Sequence, residues 1–139
     1  MHTTIYWFCS ELDWLRSPTR VTITLHMEKL TVEQKYSDPA VVGFWQRLAR
    51  QGLQQAEQVV VDRYLSPGGP LLDVGCGAGR ALFALSAQGF RVTGIDLSLP
   101  MLRAGHQLTR HAAFGGADLL YLPFAGHSFS AAVMFLGPC

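Results

Sequence analysis

Charge is sparse in this chain and almost balanced. Charged residues make up 15%, with eleven Lys and Arg against ten Asp and Glu, for a formal net charge of +1. That balance offers no electrostatic argument for a nucleic acid or an acidic partner. Cysteine is nearly absent. Cys9, Cys76 and Cys139 are far apart and odd in number, so they make neither a disulfide framework nor a zinc site. The small disulfide-stapled secreted class is thereby excluded, and a reducing, cytoplasmic setting is expected. His2, His26, His106, His111 and His127 are scattered without ligand spacing, and no metal site is expected. No apolar run reaches the roughly 18 residues of a membrane span. The short greasy patch Ile5-Tyr6-Trp7-Phe8-Cys9 lacks a preceding basic residue and runs at once into Glu11 and Asp13, which makes a poor signal peptide. Internal repeats and low-complexity tracts are also missing.

What remains is a chain of 139 residues, 49% of them apolar, enough for one domain with a real core. Residues 1–26 are the least readable. Val21 to Leu25 alternates like a strand, and the composition changes near Met27-Glu28-Lys29, which suggests Met27 as the natural start. Residues 27–70 read as N-terminal helices. Asp38-Pro39 suits a helix cap and first turn, Val42, Trp45, Leu48 and Ala49 share a face, and Gly52 divides the segment in two. Leu53, Ala56, Val59, Val60 and Tyr64 continue the helical spacing until Ser66-Pro67-Gly68-Gly69-Pro70 ends it.

From residue 71 the pattern alternates. Leu71 to Val74 reads as a strand, followed by an apolar helix after Gly77 with Gly89 as its C-terminal cap. Arg91 to Asp96 reads as a second strand. Ser98 caps a helix from about Pro100 to Leu108. Strands are then expected over Ala112–Ala117 and Ala131–Leu136, with a loop between them. This order predicts an α/β fold, a Rossmann-like doubly wound and mainly parallel sheet preceded by helices.

The segment Leu71-Leu72-Asp73-Val74-Gly75-Cys76-Gly77-Ala78-Gly79-Arg80 organises the rest. Three glycines in five positions reach φ > 0 without a clash and let another molecule approach the main chain. The helix that follows offers free N–H groups and a positive dipole end. Asp73, Asp96 and Asp118 sit at the ends of three successive strands, which in such a sheet line one crevice. Asp96 follows Gly75 by 21 residues, a spacing that lets a carboxylate reach both hydroxyls of a ribose. An adenosine-like ligand is therefore expected, and a 2′-phosphate would be repelled. The glycine spacing is one residue short of the dinucleotide fingerprint. An acid at Asp73 is awkward for a pyrophosphate and welcome for a cationic amino-acid tail. An NAD-dependent oxidoreductase stays open as an alternative at this point.

Asp73 to Arg80 resembles motif I of the class I S-adenosylmethionine-dependent methyltransferases. Gly94-Ile95-Asp96-Leu97-Ser98, with Met101-Leu102 and Ala104, resembles the next motif. Ala117-Asp118, Leu122-Pro123-Phe124 and Ser128-Phe129 resemble the third, as in the small-molecule subgroup related to ubiquinone and menaquinone methyltransferases. Ser130 departs from the acid usual after the Ser-Phe pair. The resemblance implies S-adenosyl-L-methionine as cofactor. Asp73, Gly75, Cys76, Gly77 and Gly79 would hold its methionine end, Asp96 its ribose and Leu97 one side of its adenine. Asp118 would take the adenine amino group, with Leu119 nearby. Tyr36 lies where the family often covers the site. The implied activity is methyl transfer to a small-molecule acceptor, and no residue stands out as a general base. Residues 71–139 then form a cofactor-binding half domain whose sheet lacks its C-terminal half. The apolar edge from Val133 to Leu136 is expected to lie open, to be covered by a partner chain or oligomer. A non-catalytic or truncated fragment is the other alternative.

Overall fold

A computed structural model describes residues 5–8, 32–109 and 112–136. The chain order is β1 (Ile5–Phe8), α1 (Val32–Lys35), α2 (Pro39–Leu48), α3 (Gln55–Tyr64), β2 (Pro70–Val74), α4 (Arg80–Ala87), β3 (Arg91–Asp96), α5 (Leu99–Leu108), β4 (Ala113–Gly116) and β5 (Ala131–Phe135). The five strands form one parallel sheet in the order β1-β5-β2-β3-β4. The α/β architecture inferred from the sequence is the one observed. The possible strand at Val21–Leu25 lies outside the described residues.

Local chemistry sets the boundaries. Asp38 Oδ1 accepts from the Ala40 N–H at 2.7 Å and caps α2. The chain turns at Gly52 with φ 77, dividing α2 from α3. At the start of α3, Glu57 accepts from the Gln54 N–H at 2.7 Å. Gly89, at φ 90, closes α4, and the Phe90 N–H reaches back to Leu85 O. Ser98 caps α5.

Alternation along β2 sends its side chains to opposite faces. Leu71 packs with Val61, Leu82, Leu85, Val92 and Val133 on one face. Leu72 and Val74 pack with Ile95 and Ala132 on the other, where Phe124 and Phe129 of the long loop before β5 close over them. A smaller apolar cluster of Ala49, Ala78, Met101 and Ala104 joins α2 to α5 and to the glycine turn.

The structure corrects one expectation. The edge of β5 is not left open: β1 pairs with it in parallel, with Ile5 opposite Ala132 and Phe8 opposite Phe135. Ile5–Phe8, read only as part of a failed signal peptide, form a strand. Its extended apolar residues suit the edge of a sheet that would otherwise present unpaired backbone groups. Val133 is fully buried, while Leu136, just past the paired residues, stays 44% exposed as expected.

Candidate functional site

The carboxyl ends of β2, β3 and β5 open onto a cavity of about 330 Å³, within the range of small-molecule sites. Its walls include Asp73, Gly75, Cys76, Gly77, Asp96, Leu97, Asp118 and Leu119. Of the residues singled out by sequence for a ligand, the fold gathers these eight and leaves out Gly79. That glycine precedes α4 with φ 93, and a Cβ on it would come within 2.8 Å of the Phe83 and Phe114 rings. Its lack of a side chain serves the turn and the packing beneath it.

The glycine turn is held by the end of β3. The Gly75 and Cys76 N–H groups both donate to Ile95 O, at 2.8 and 3.0 Å. Asp96 Oδ2 accepts from the Gly77 N–H at 2.8 Å and Oδ1 from the Ser98 N–H at 2.8 Å. Each carboxylate oxygen has a further lone pair, so Asp96 can fix the turn and still accept from a diol in the cavity. Asp118 is arranged similarly: its Oδ1 accepts from the Leu120 N–H at 2.9 Å while the residue borders the cavity. Gly75 is exposed, with nothing near the position a Cβ would take, so its backbone is open to a bound molecule.

Asp73 is the unusual member. It is 1% exposed, and its Oδ2 has no hydrogen-bond partner. Burial pushes its carboxyl up to about 7, against the pull of the Arg80 guanidinium and the Leu82 amide and with the push of Asp96 and Glu57. A buried polar atom without a partner is costly, and one on a cavity wall suits a donor arriving from outside. Burial, with Asp73 and Asp96 nearby, also pushes the Cys76 thiol up. Cys76 is therefore inert, its Sγ lying close to where a Cβ on Gly94 would stand.

Tyr36, which the resemblance placed over the site, reaches the cavity, as do residues that carried no site role in the sequence reading. Tyr36 and Trp45 line one side, and Met134, Phe135 and Leu136 at the end of β5 line another. Tyr36 is tied in through its carbonyl, which accepts from Ser98 Oγ at 2.8 Å. Missed altogether was a buried ion pair beside the cavity. Arg80 Nη1 and Nη2 donate to Glu57 Oε2 and Oε1, both at 2.6 Å, and Nη1 also reaches Gly52 O at 2.9 Å. Among the described residues no cluster of His, Cys, Asp and Glu could hold a metal, and no helix is long and apolar enough to cross a membrane.

A glycine turn between a parallel strand and a helix, with carboxylates at or just past the ends of this strand and the next two, defines a nucleoside-binding doubly wound domain. Comparison with known proteins then narrows the class. Residues 71–138 match the family described as methyltransferase domain. A demethylmenaquinone methyltransferase from Corynebacterium kroppenstedtii is 39% identical over 71 residues, covering 51% of this chain and 30% of its own. The crystal structure of a TehB-like SAM-dependent methyltransferase from Corynebacterium glutamicum is 29% identical with a TM-score of 0.57, covering 70% of this chain and 56% of its own. A SAM-dependent methyltransferase from Methanosarcina mazei is 29% identical with a TM-score of 0.53, covering 60% and 42%. Residues 71–138 are a methyltransferase domain of the class I, S-adenosylmethionine-dependent type. The chain spans less than half the length of the curated relatives it matches.

Proposed function

We propose that this protein transfers a methyl group from S-adenosylmethionine to a small, largely apolar acceptor. The observation that carries the reading is the partnerless, buried Asp73 oxygen on the wall of a cavity that the open backbone of the glycine turn also lines. This donor set fits the cofactor: an acceptor-only carboxylate for a cationic tail, a second for a diol, and a third for an exocyclic amine. When bound, the cofactor supplies an electrophilic methyl on a sulfonium.

The residues present then divide the work of holding it. Asp73 and the Gly75 and Gly77 backbone hold the methionine end. Cys76 fills the floor of the turn with a small side chain. Asp96 accepts from the ribose hydroxyls, with Leu97 against the adenine, Asp118 on its amino group and Leu119 beside it. Catalysis would rest on holding donor and acceptor in line at short range. The acceptor side is supported by the aromatic and aliphatic walls of Tyr36, Trp45, Met134, Phe135 and Leu136, and by relatives named demethylmenaquinone methyltransferase. The methyltransferase match displaces the NAD reading, and an uncompensated carboxylate beneath the turn argues against a pyrophosphate. A cytoplasmic location is supported by the buried free thiol of Cys76 and the absence of a disulfide pattern in the sequence.

Calorimetric titration with S-adenosylhomocysteine tests the site. Micromolar binding is expected, with a loss of at least about tenfold in Asp96→Ala, the order of one good charge-assisted hydrogen bond. A folded wild-type chain that does not bind would overturn the reading.

A further inference from the structure

The buried charges beside the cavity do not balance. Asp73, Glu57 and Arg80 are all less than a tenth exposed, so two carboxylates share one guanidinium. The sharing is unequal. Glu57 takes both terminal nitrogens of Arg80 at 2.6 Å, and Nη1 makes a third contact with Gly52 O. Asp73 sits close enough to feel the guanidinium, yet one of its oxygens is left without any partner. Glu57 is itself held by the Gln54 N–H at the start of α3, so its carboxylate is fixed by the helix that carries it.

We propose that Glu57 is a positioning residue for the cofactor's cationic end: by pairing with both terminal nitrogens of Arg80 it turns the guanidinium toward α3 and away from neutralising Asp73. The Asp73 charge is thereby kept for a ligand's ammonium group. With Glu57 neutral, a fork-shaped cation would stand beside a free buried carboxylate and pair with it, because such pairs form wherever geometry allows. Among the described residues, the charged and titratable groups around Asp73 are Arg80 from α4, Glu57 from α3, Asp96 from β3 and Cys76 in the turn, and Arg80 is the sole cation of that set. Control of the tail-binding carboxylate therefore passes through one ion pair made across 23 residues of sequence.

The inference rests on the cofactor assignment above, and two probes separate the two claims. S-adenosylhomocysteine carries the ammonium tail. 5′-Methylthioadenosine shares the nucleoside and lacks the tail. If neither binds the wild-type chain, the cofactor assignment fails. If both bind, Glu57→Gln is expected to weaken S-adenosylhomocysteine by at least about tenfold and methylthioadenosine by less than about threefold. The double variant Glu57→Gln, Arg80→Gln removes the competing cation and is expected to recover most of the lost affinity. A variant that loses both probes equally, or a double variant with no recovery, would make the pair a structural brace and overturn the proposal. Should the variants not fold, the wild-type chain decides. As pH rises through about 7 and Asp73 loses its proton, the preference for S-adenosylhomocysteine over methylthioadenosine should grow several-fold. A preference that stays flat between about pH 6 and pH 8 would mean that Asp73 offers no free charge, and would overturn the proposal too.

Discussion

Asp73 sets a conflict between stability and binding at a single side chain. Its carboxyl is raised from 3.8 to about 7 by burial, so between those values the folded chain holds a proton that the unfolded chain has lost. The stability tied to this group is full below about pH 4, declines as pH rises and is gone above about pH 7. Asp73→Asn keeps the shape and removes the titration. The variant should melt near the wild type at about pH 4 and several degrees higher at about pH 8, while losing affinity for S-adenosylhomocysteine. Thermal melts at both pH values check this, and an equal difference at both would mean that Asp73 does not titrate there. The acids at 73, 96 and 118 were legible because each stands at or just past the end of a strand and the strands are read from local pattern. Glu57 and Arg80 were not legible as a pair. Nothing local tells a helix-start glutamate which cation it will meet 23 residues on, and only a solved packing joins them. Gly79, which the fold leaves off the cavity wall, was hard to place for the opposite reason: the glycine density is local, but whether a missing Cβ serves a ligand or a pair of phenylalanine rings depends on what folds over it.

Among the elements, α5 shows how a cap can serve a site at a distance. Ser98 Oγ accepts from the Met101 N–H at 3.4 Å and donates to Tyr36 O at 2.8 Å, so one hydroxyl closes the first turn of α5 and fastens the segment before α2 to the cavity rim. Its backbone N–H meanwhile holds Asp96 Oδ1. Ser98→Ala keeps that backbone bond and deletes the other two, and should cost about 1 kcal/mol. Tyr36 would be freed from the rim, so affinity for S-adenosylhomocysteine should fall by a few-fold while Asp96 stays in place. Denaturant melts and titration of the same variant check both parts, and an unchanged affinity would detach Tyr36 from the site. The cap itself was legible, because a serine before an apolar run states its own role. The elements with strong local signals fell within a residue or two of their expected bounds: β3 spans Arg91–Asp96 as read, while α5 begins at Leu99 and β5 stops at Phe135. Helix and strand ends fray over that range. The hydroxyl's second bond, to a carbonyl 62 residues away, carried no signal in the sequence.

For the whole molecule, the decisive contact is the pairing of β1 with β5, which joins the first described residues to the last strand. Parallel strands cannot pair through a tight turn, so this pairing joins two segments that almost the whole chain separates. That is why Ile5–Phe8 could be seen as apolar but not as part of the sheet: strand partners at this separation leave no local trace. The consequence is testable. A chain beginning at Cys9 would leave the outer edge of β5 with unpaired backbone groups along the apolar run Ala131–Phe135. Such an edge recruits another chain. The shortened protein should therefore melt several degrees lower and self-associate as concentration rises, whereas the full chain should not associate through this edge. Light scattering across a concentration series, with thermal melts of both chains, gives the answer. A shortened chain that stays monomeric and melts like the full one would mean that the sheet closes without Ile5–Phe8. A lower melting point with retained S-adenosylhomocysteine binding would place the role of β1 in stability, since its partner strand carries Met134 and Phe135 into the apolar wall while the carboxylates all stand on the far side of β5, on β2, β3 and the segment after β4.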